Sequence, residues 1–396
     1  MDHDSLKRRR VLKGVGVAGA TALAGCTGNG SGGGTSGNGT SGSGGDSSGG
    51  TLNVLTWAGY EGIAKRIEEE TGATVNQKLI SSDVDGFNTL KGGGTSQFDV
   101  LLLDNTWAKR NARADTIKPV EKSDYPTTDQ WMDQFNWPYE TFVHNSEMYA
   151  VPPRWGWGGL GYDDRSVDLS TLKEKEYTAV WDGSFEGKLT LPDWPTWVIP
   201  LVIMQIFDIG EKNPMDVELS ESQFTELEDT MVKMFDNTTA IHTGAAAVRQ
   251  DMLQGNATLT FGIGNFGLSQ LPAEGNNWMK AMYPTDVGGW YWTEGLCLVN
   301  NSDLNRDLAN EYINACLTPE GQYSICWEDA KSKGAPVNTK AFDKFSEKEQ
   351  KRIMMYKNKG FEASDQLLND LVQYKISPQQ DTWLDLWESA KSKADI

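Results

Sequence analysis

Apolar positions change their period along the chain, and the changes mark out elements. Residues 52–57 form a short apolar run rich in strand formers. It leads through Ala58, Gly59 and Tyr60 into Ile63, Ala64 and Ile67 at helical spacing, before Gly72 stops the helix. Residues 75–80 give a second strand. Residues 98–104 give a third, whose apolar run lacks alternation, as expected of a strand covered on both faces. Strand, helix, strand, helix, strand opens an α/β domain with a parallel sheet, and ligands then sit at the carboxyl ends of the strands, where Trp57 and residues 104–107 fall.

Further along, residues 149–153 and 160–162 are expected to be strands bracketing a loop that carries Trp155 and Trp157. The next stretch predicts a strand over 188–191, a helix over 198–207 after Pro195, amphipathic helices over 224–235 and 245–254, and a strand over 258–263. A strand-like run over 291–300, a helix over 306–317 stopped by Pro319, and outer helices over 351–369 and 381–393 complete the pattern. Two successive sheet-forming units favour two α/β lobes joined by more than one crossing; one large domain is the alternative. The expected division places residues 51–160 with 293–335 in lobe 1 and residues 161–292 with 336–396 in lobe 2, with hinges near 158–163 and 288–299.

The N-terminal residues differ in kind. Arg8, Arg9 and Arg10 precede a mild apolar run over 11–25, too short and weak for a membrane span, and residues 8–13 resemble a twin-arginine export signal. Residues 23–26 resemble a lipoprotein processing box, which makes residues 1–25 a signal peptide and Cys26 the lipidated first mature residue. Residues 27–50 contain only Thr, Gly, Asn, Ser and one Asp, with 12 glycines, and predict a flexible tether. Its coil dimension of about 25–30 Å would hold a domain clear of a lipid surface. These features together predict a protein anchored to the outer face of the cell membrane.

Charge narrows the partners. The 396 residues include 55 acidic against 36 basic side chains, a net charge of −19, whose field repels phosphate backbones and argues against nucleic acid. Acid-rich surfaces of this kind resemble those of secreted halophilic proteins. Three histidines and four cysteines give little basis for a structural metal site, and no cofactor is expected. Cys316 and Cys326 are close enough in sequence to pair, while Cys297 has the setting of a small buried hydrophobe. No nucleophile elbow, P-loop or paired metal-binding histidines occur, so an enzyme is not expected; a secreted enzyme stays the lesser alternative.

Aromatic density near the predicted strand ends is the chemical signal. Trp57, Tyr60, Trp107, Trp155, Trp197 and Trp292 could wall a site for an organic cation, with Asp193 and Glu294 as its carboxylates. Ordinary packing is the alternative for each Trp. Residues 53–60, 98–100, 149–152 with Trp155 and Gly156, 187–189 with Asp193, and 292–296 together resemble the periplasmic polyamine-binding proteins, the spermidine and putrescine receptors of ABC transporters.

That resemblance implies a type II periplasmic-binding-protein-like fold: two α/β lobes, a cleft between them, and a monomeric receptor that delivers a small organic cation to a membrane permease. Trp57, Tyr60 and Trp107 would then belong to the first-lobe wall. Asp193 would be an amine-binding aspartate, and Trp292 with Glu294 the ring and acid at the crossing. Departures are Gly59 where the family offers an acid, and Thr196 with Trp197 where it offers another. An expected aromatic near Ile263 is also missing, with Asn265 and Phe266 close by. Fewer acids leave thiamine, a quaternary amine or a carbohydrate as alternative ligands.

Overall fold

The computed structural model describes residues 49–329, 331, 334–355 and 360–396. The export signal, Cys26 and nearly all of the tether lie outside the described residues. Among those described, no helix is long and apolar enough to cross a membrane.

Two sheets organise the chain. In the first, Thr51–Thr56 runs parallel to both Thr74–Leu79 and Val100–Asp104. The long strand Gly289–Val299 then inserts antiparallel between Val100–Asp104 and Arg154–Gly158, and Ala335–Pro336 closes that edge. Two short strands, Ile117–Lys118 and Leu371–Gln373, pair with opposite ends of the long one. The second sheet has the order Thr238–His242, Leu189–Pro192, Leu259–Phe261, Leu160–Asp163, Met279–Met282. With helices packed on both, this is the two-lobed α/β periplasmic-binding-protein-like fold of the type II class.

The sequence explains most elements locally. Ile63, Ala64 and Ile67 bury one stripe of helix Glu61–Thr71, and Gly72, at φ 71°, turns the chain out while its N–H donates to Glu68 O. Pro195 opens helix Pro195–Ile206, where its missing N–H costs nothing, and residues 198–203 are all buried. Helix Glu221–Asp236 starts from a reciprocal capping box between Ser220 and Gln223.

Three expectations need correction. Residues 154–158 are a central strand of the first sheet, with Trp155 and Trp157 fully buried, where a loop was expected. Its glycines make room for rings: a Cβ on Gly158 would lie 2.2 Å from the Trp290 ring, and one on Gly156 would lie 2.5 Å from that of Trp292. The single helix expected over 351–369 is two, Glu347–Met354 and Gly360–Asp370, the first ended by Met355 at φ 51°. Cys297, Cys316 and Cys326 are buried free thiols, so the considered disulfide is not formed.

The expected lobe boundary at 292/293 falls inside one strand, since Trp290 to Thr293 all pair with residues 155–158. The chain passes between the sheets at Gly159, over residues 283–288, and again over residues 374–379, after which helix Gln380–Lys393 packs on Glu221–Asp236.

Candidate functional site

The residues that follow the carboxyl end of Val100–Asp104 meet the last crossing between the sheets at a cavity of about 320 Å³. Thr106, Trp107 and Arg110 line it from the first sheet's side, Thr196 from the start of helix Pro195–Ile206, Tyr374 from the last crossing, and Asp381 from the first turn of helix Gln380–Lys393. Asn105 ties the two sides together by donating its side-chain amide to Tyr374 O at 2.8 Å.

Aromatic rings continue inward from the cavity. Trp197 is the hub, its ring centroid 6.0 Å from Tyr374, 4.7 Å from Trp290 and 5.9 Å from Phe266. Phe266 meets Trp292 edge-on at 5.3 Å. Trp292 is 2% exposed and its indole N–H has no hydrogen-bond partner among the described residues. Trp107 packs on Phe87 at 5.7 Å, and the Arg110 guanidinium lies 4.7 Å from the Trp107 ring centroid. Trp57 is half-buried at the end of its strand.

Both nominated carboxylates are already engaged. Glu294 is 3% exposed and accepts from Arg154 Nε and Nη2 at 2.7 Å each, and from the Tyr60 hydroxyl at 2.7 Å. Burial opposes the Arg154 charge, but Glu294 outweighs it and raises the guanidinium's pKa. The expectation that Glu294 holds a cation is therefore corrected: a bidentate partner in a dry interior already neutralises it. Tyr60, fully buried with its hydroxyl on Glu294, belongs to the same internal cluster.

Asp193 accepts from Trp387 Nε1 at 2.7 Å and pairs with Lys391 at 3.2 Å, both on the last helix, so it too leaves the expected site. Trp155 donates its indole N–H to Pro336 O and is core. Trp107 reaches the cavity, and Trp197 and Trp292 extend from it. Gly59 stands at φ 102°, a backbone state an acidic side chain would strain, and its N–H is taken by Glu61.

Asp381 is the acid that lines the cavity, and two further acids, Asp83 and Asp104, lie outside its lining. Asp104 ends its strand directly opposite Glu294, so the two side chains share a sheet face with Trp292. Asp83 opens helix Asp83–Lys91, and its Oδ1 accepts the Asp104 backbone N–H at 2.9 Å. Both are half-buried, and among the described residues neither has a basic partner at ion-pair distance. Burial, with Glu294 adding repulsion, pushes the Asp83 carboxyl up to about 7. Burial, then the Asp83 and Glu294 charges, raises Asp104 well above the usual carboxylate range.

Sequence reading placed Asp104 at a strand end without nominating it. Asp83 and Tyr374 carried no signal, since only the fold brings them beside the aromatic run. Such a set can hold an ammonium group: carboxylates neutralise it, and rings offer their faces. Among the described residues no cluster of His, Cys, Asp and Glu is arranged to hold a metal ion.

Two lobes, an interlobe cavity and an acid-and-ring lining define the class of binding proteins that enclose a small solute. The chain belongs to the bacterial extracellular solute-binding protein family, whose pattern matches residues 96–363. No curated protein sequence matches significantly. Among solved structures, the spermidine/putrescine ABC transporter substrate-binding protein PotD of Streptococcus pneumoniae is similar at 19% identity and TM-score 0.69, over 87% of this chain and 99% of that one. A putative spermidine/putrescine ABC transporter protein of Listeria monocytogenes matches at 19% identity and TM-score 0.66, over 87% and 99% of the two chains. A GABA receptor matches at 15% identity and TM-score 0.61, over 87% and 96%.

Proposed function

We propose that this chain is the extracytoplasmic receptor of an ABC importer, lipid-anchored through Cys26, and that it captures a small organic cation of the diamine or polyamine type. The reading rests on one observation above all: two adjacent half-buried carboxylates, Asp83 and Asp104, with no basic partner among the described residues, beside a run of aromatic rings. A bound ammonium would relieve their mutual repulsion, and closing rings would exclude water and strengthen the attraction. The role is capture without chemistry. Ligand binding would draw the lobes together about residues 283–288 and 374–379, and the closed form would present itself to the permease.

Titration calorimetry with putrescine, spermidine, thiamine, choline, GABA and an oligosaccharide tests the reading. Binding of an amine by the native chain, weakened at least about tenfold in Asp104→Asn, supports it. Binding of an uncharged sugar alone, or an Asp104→Asn protein with native amine affinity, refutes it. GABA earns its place in the panel because Arg110 lines the same cavity. A zwitterion could set its amine on the aspartates and its carboxylate on Arg110.

A further inference from the structure

A second cavity, about 730 Å³, shares no lining residue with the first and lies on the outer edge of the second sheet. Its wall is the edge strand Met279–Met282, which pairs on one side only, with Leu160–Asp163. The Asp164 N–H donates to Trp278 O, and this fixes the antiparallel alternation. Lys280 and Met282 therefore bond to the neighbouring strand, while Ala281 turns its N–H and C=O to the open side. Such an edge is a template for another strand.

The opposite wall is helix Glu347–Met354, which sets Lys348, Lys351 and Arg352 on one face. Lys173 and Lys280 bring the basic residues to five, against the acids Glu176 and Asp286, on a chain whose net charge is −19. Lys280 reaches Asp164 at 3.4 Å, and Arg352 donates to Asn277. Lys173, Lys348 and Lys351 have no ion pair among the described residues. Met279, Met282 and Pro272 give the groove an apolar floor, and Leu169, 38% exposed, stands at its rim.

We propose that this groove docks an extended acidic segment of a protein partner, which adds a strand along Met279–Met282 and sets its carboxylates against Lys348 and Lys351. Charge complementarity argues for an acidic occupant, and the open backbone edge argues for a polypeptide over a lipid surface, which has no N–H groups to offer. A second copy of this strongly acidic chain would be repelled before contact.

The probe is a fluorescein-labelled peptide of about eight residues alternating Glu and Val, read by anisotropy with the full chain at low salt. Saturable binding is expected. It should weaken at least about tenfold when N-methyl groups block every second backbone N–H of the peptide, in one phase or the other. A Lys348→Glu/Lys351→Glu double variant should lose a similar factor while keeping the native chain's response to the amine panel. No saturable binding, equal binding of both blocked peptides, or an unaffected double variant overturns the proposal. Binding to phosphatidylglycerol vesicles without binding to the peptide does so as well.

Discussion

Arg154 donates two hydrogen bonds to Glu294 in an interior where each is at most 3% exposed, so removing either partner strands the other's charge. Arg154→Met and Glu294→Gln should each cost about 3–5 kcal/mol by chemical denaturation, since Gln leaves the Arg154 charge unpaired and turns its NH2 towards a donor that Glu294 now satisfies. A Glu294→Gln protein with native stability but lost amine affinity would return Glu294 to the ligand. Asp83 and Asp104 work the other way. An unfolded aspartate ionises near pH 4, whereas in the folded chain burial holds Asp83 protonated up to about pH 7 and raises Asp104 well above the usual carboxylate range. Above about pH 4 the folded state therefore binds more protons than the unfolded chain, so stability of the empty protein falls as pH rises, through the Asp83 titration near 7. Asp104→Asn should therefore raise the melting temperature at pH 8, leave it nearly unchanged at pH 4, and weaken amine binding. Amine affinity of the native chain should fall below about pH 7, where a proton competes for the pair. A melting temperature for Asp104→Asn that is lower at pH 8 would contradict this electrostatic account. Aromatic density was legible in the sequence, but which rings reach the cavity and which acids are free were not. Arg154 and Glu294 are 140 positions apart, and no local pattern tells that one will neutralise the other.

Among elements, the apolar runs that became Thr51–Thr56, Val100–Asp104 and Gly289–Val299 were legible because they are bounded by polar or turn residues, and the last two are buried on both faces. Arg154–Gly158 was not, because its Gly and Trp alternation has the composition of a loop. Those glycines answer a long-range demand: Trp290 and Trp292 of the neighbouring strand lie across them. Gly158→Ala would drive a methyl into the Trp290 ring and displace the Trp197 and Tyr374 rings packed on it. The expected cost is about 2–3 kcal/mol in denaturant unfolding, with amine affinity reduced in the same variant. Gly244→Ala, where nothing lies within 4 Å of the added carbon, is the control and should stay within about 0.5 kcal/mol. Equal stability of the two variants would mean that the strand can shift away from Trp290, and that the ring cluster is less tightly held than its contacts imply.

At the scale of the whole molecule, a charge of −19 acts in two opposed ways. It gathers cations towards the cleft, and it pushes the folded surface apart. Salt screens exposed charges over a Debye length of about 10 Å at 0.1 M and about 3 Å at 1 M, while half-buried groups such as Asp83 and Asp104 are screened much less. Raising NaCl from about 0.1 to 1 M should therefore increase the melting temperature by relieving surface repulsion. The same change should slow amine association, which depends on the long-range field, more than it speeds dissociation, which depends on contacts at the aspartate pair. Stopped-flow tryptophan fluorescence can separate the two rates, because Trp107 lines the cavity and Trp197 and Trp290 pack on Tyr374, which also lines it. An affinity that collapses with salt through faster dissociation would place the ligand on exposed carboxylates and remove it from the Asp83–Asp104 pair. A melting temperature that falls with salt would mean that the acidic residues are held in stabilising surface pairs. The attraction for the ligand would then come from the cleft alone.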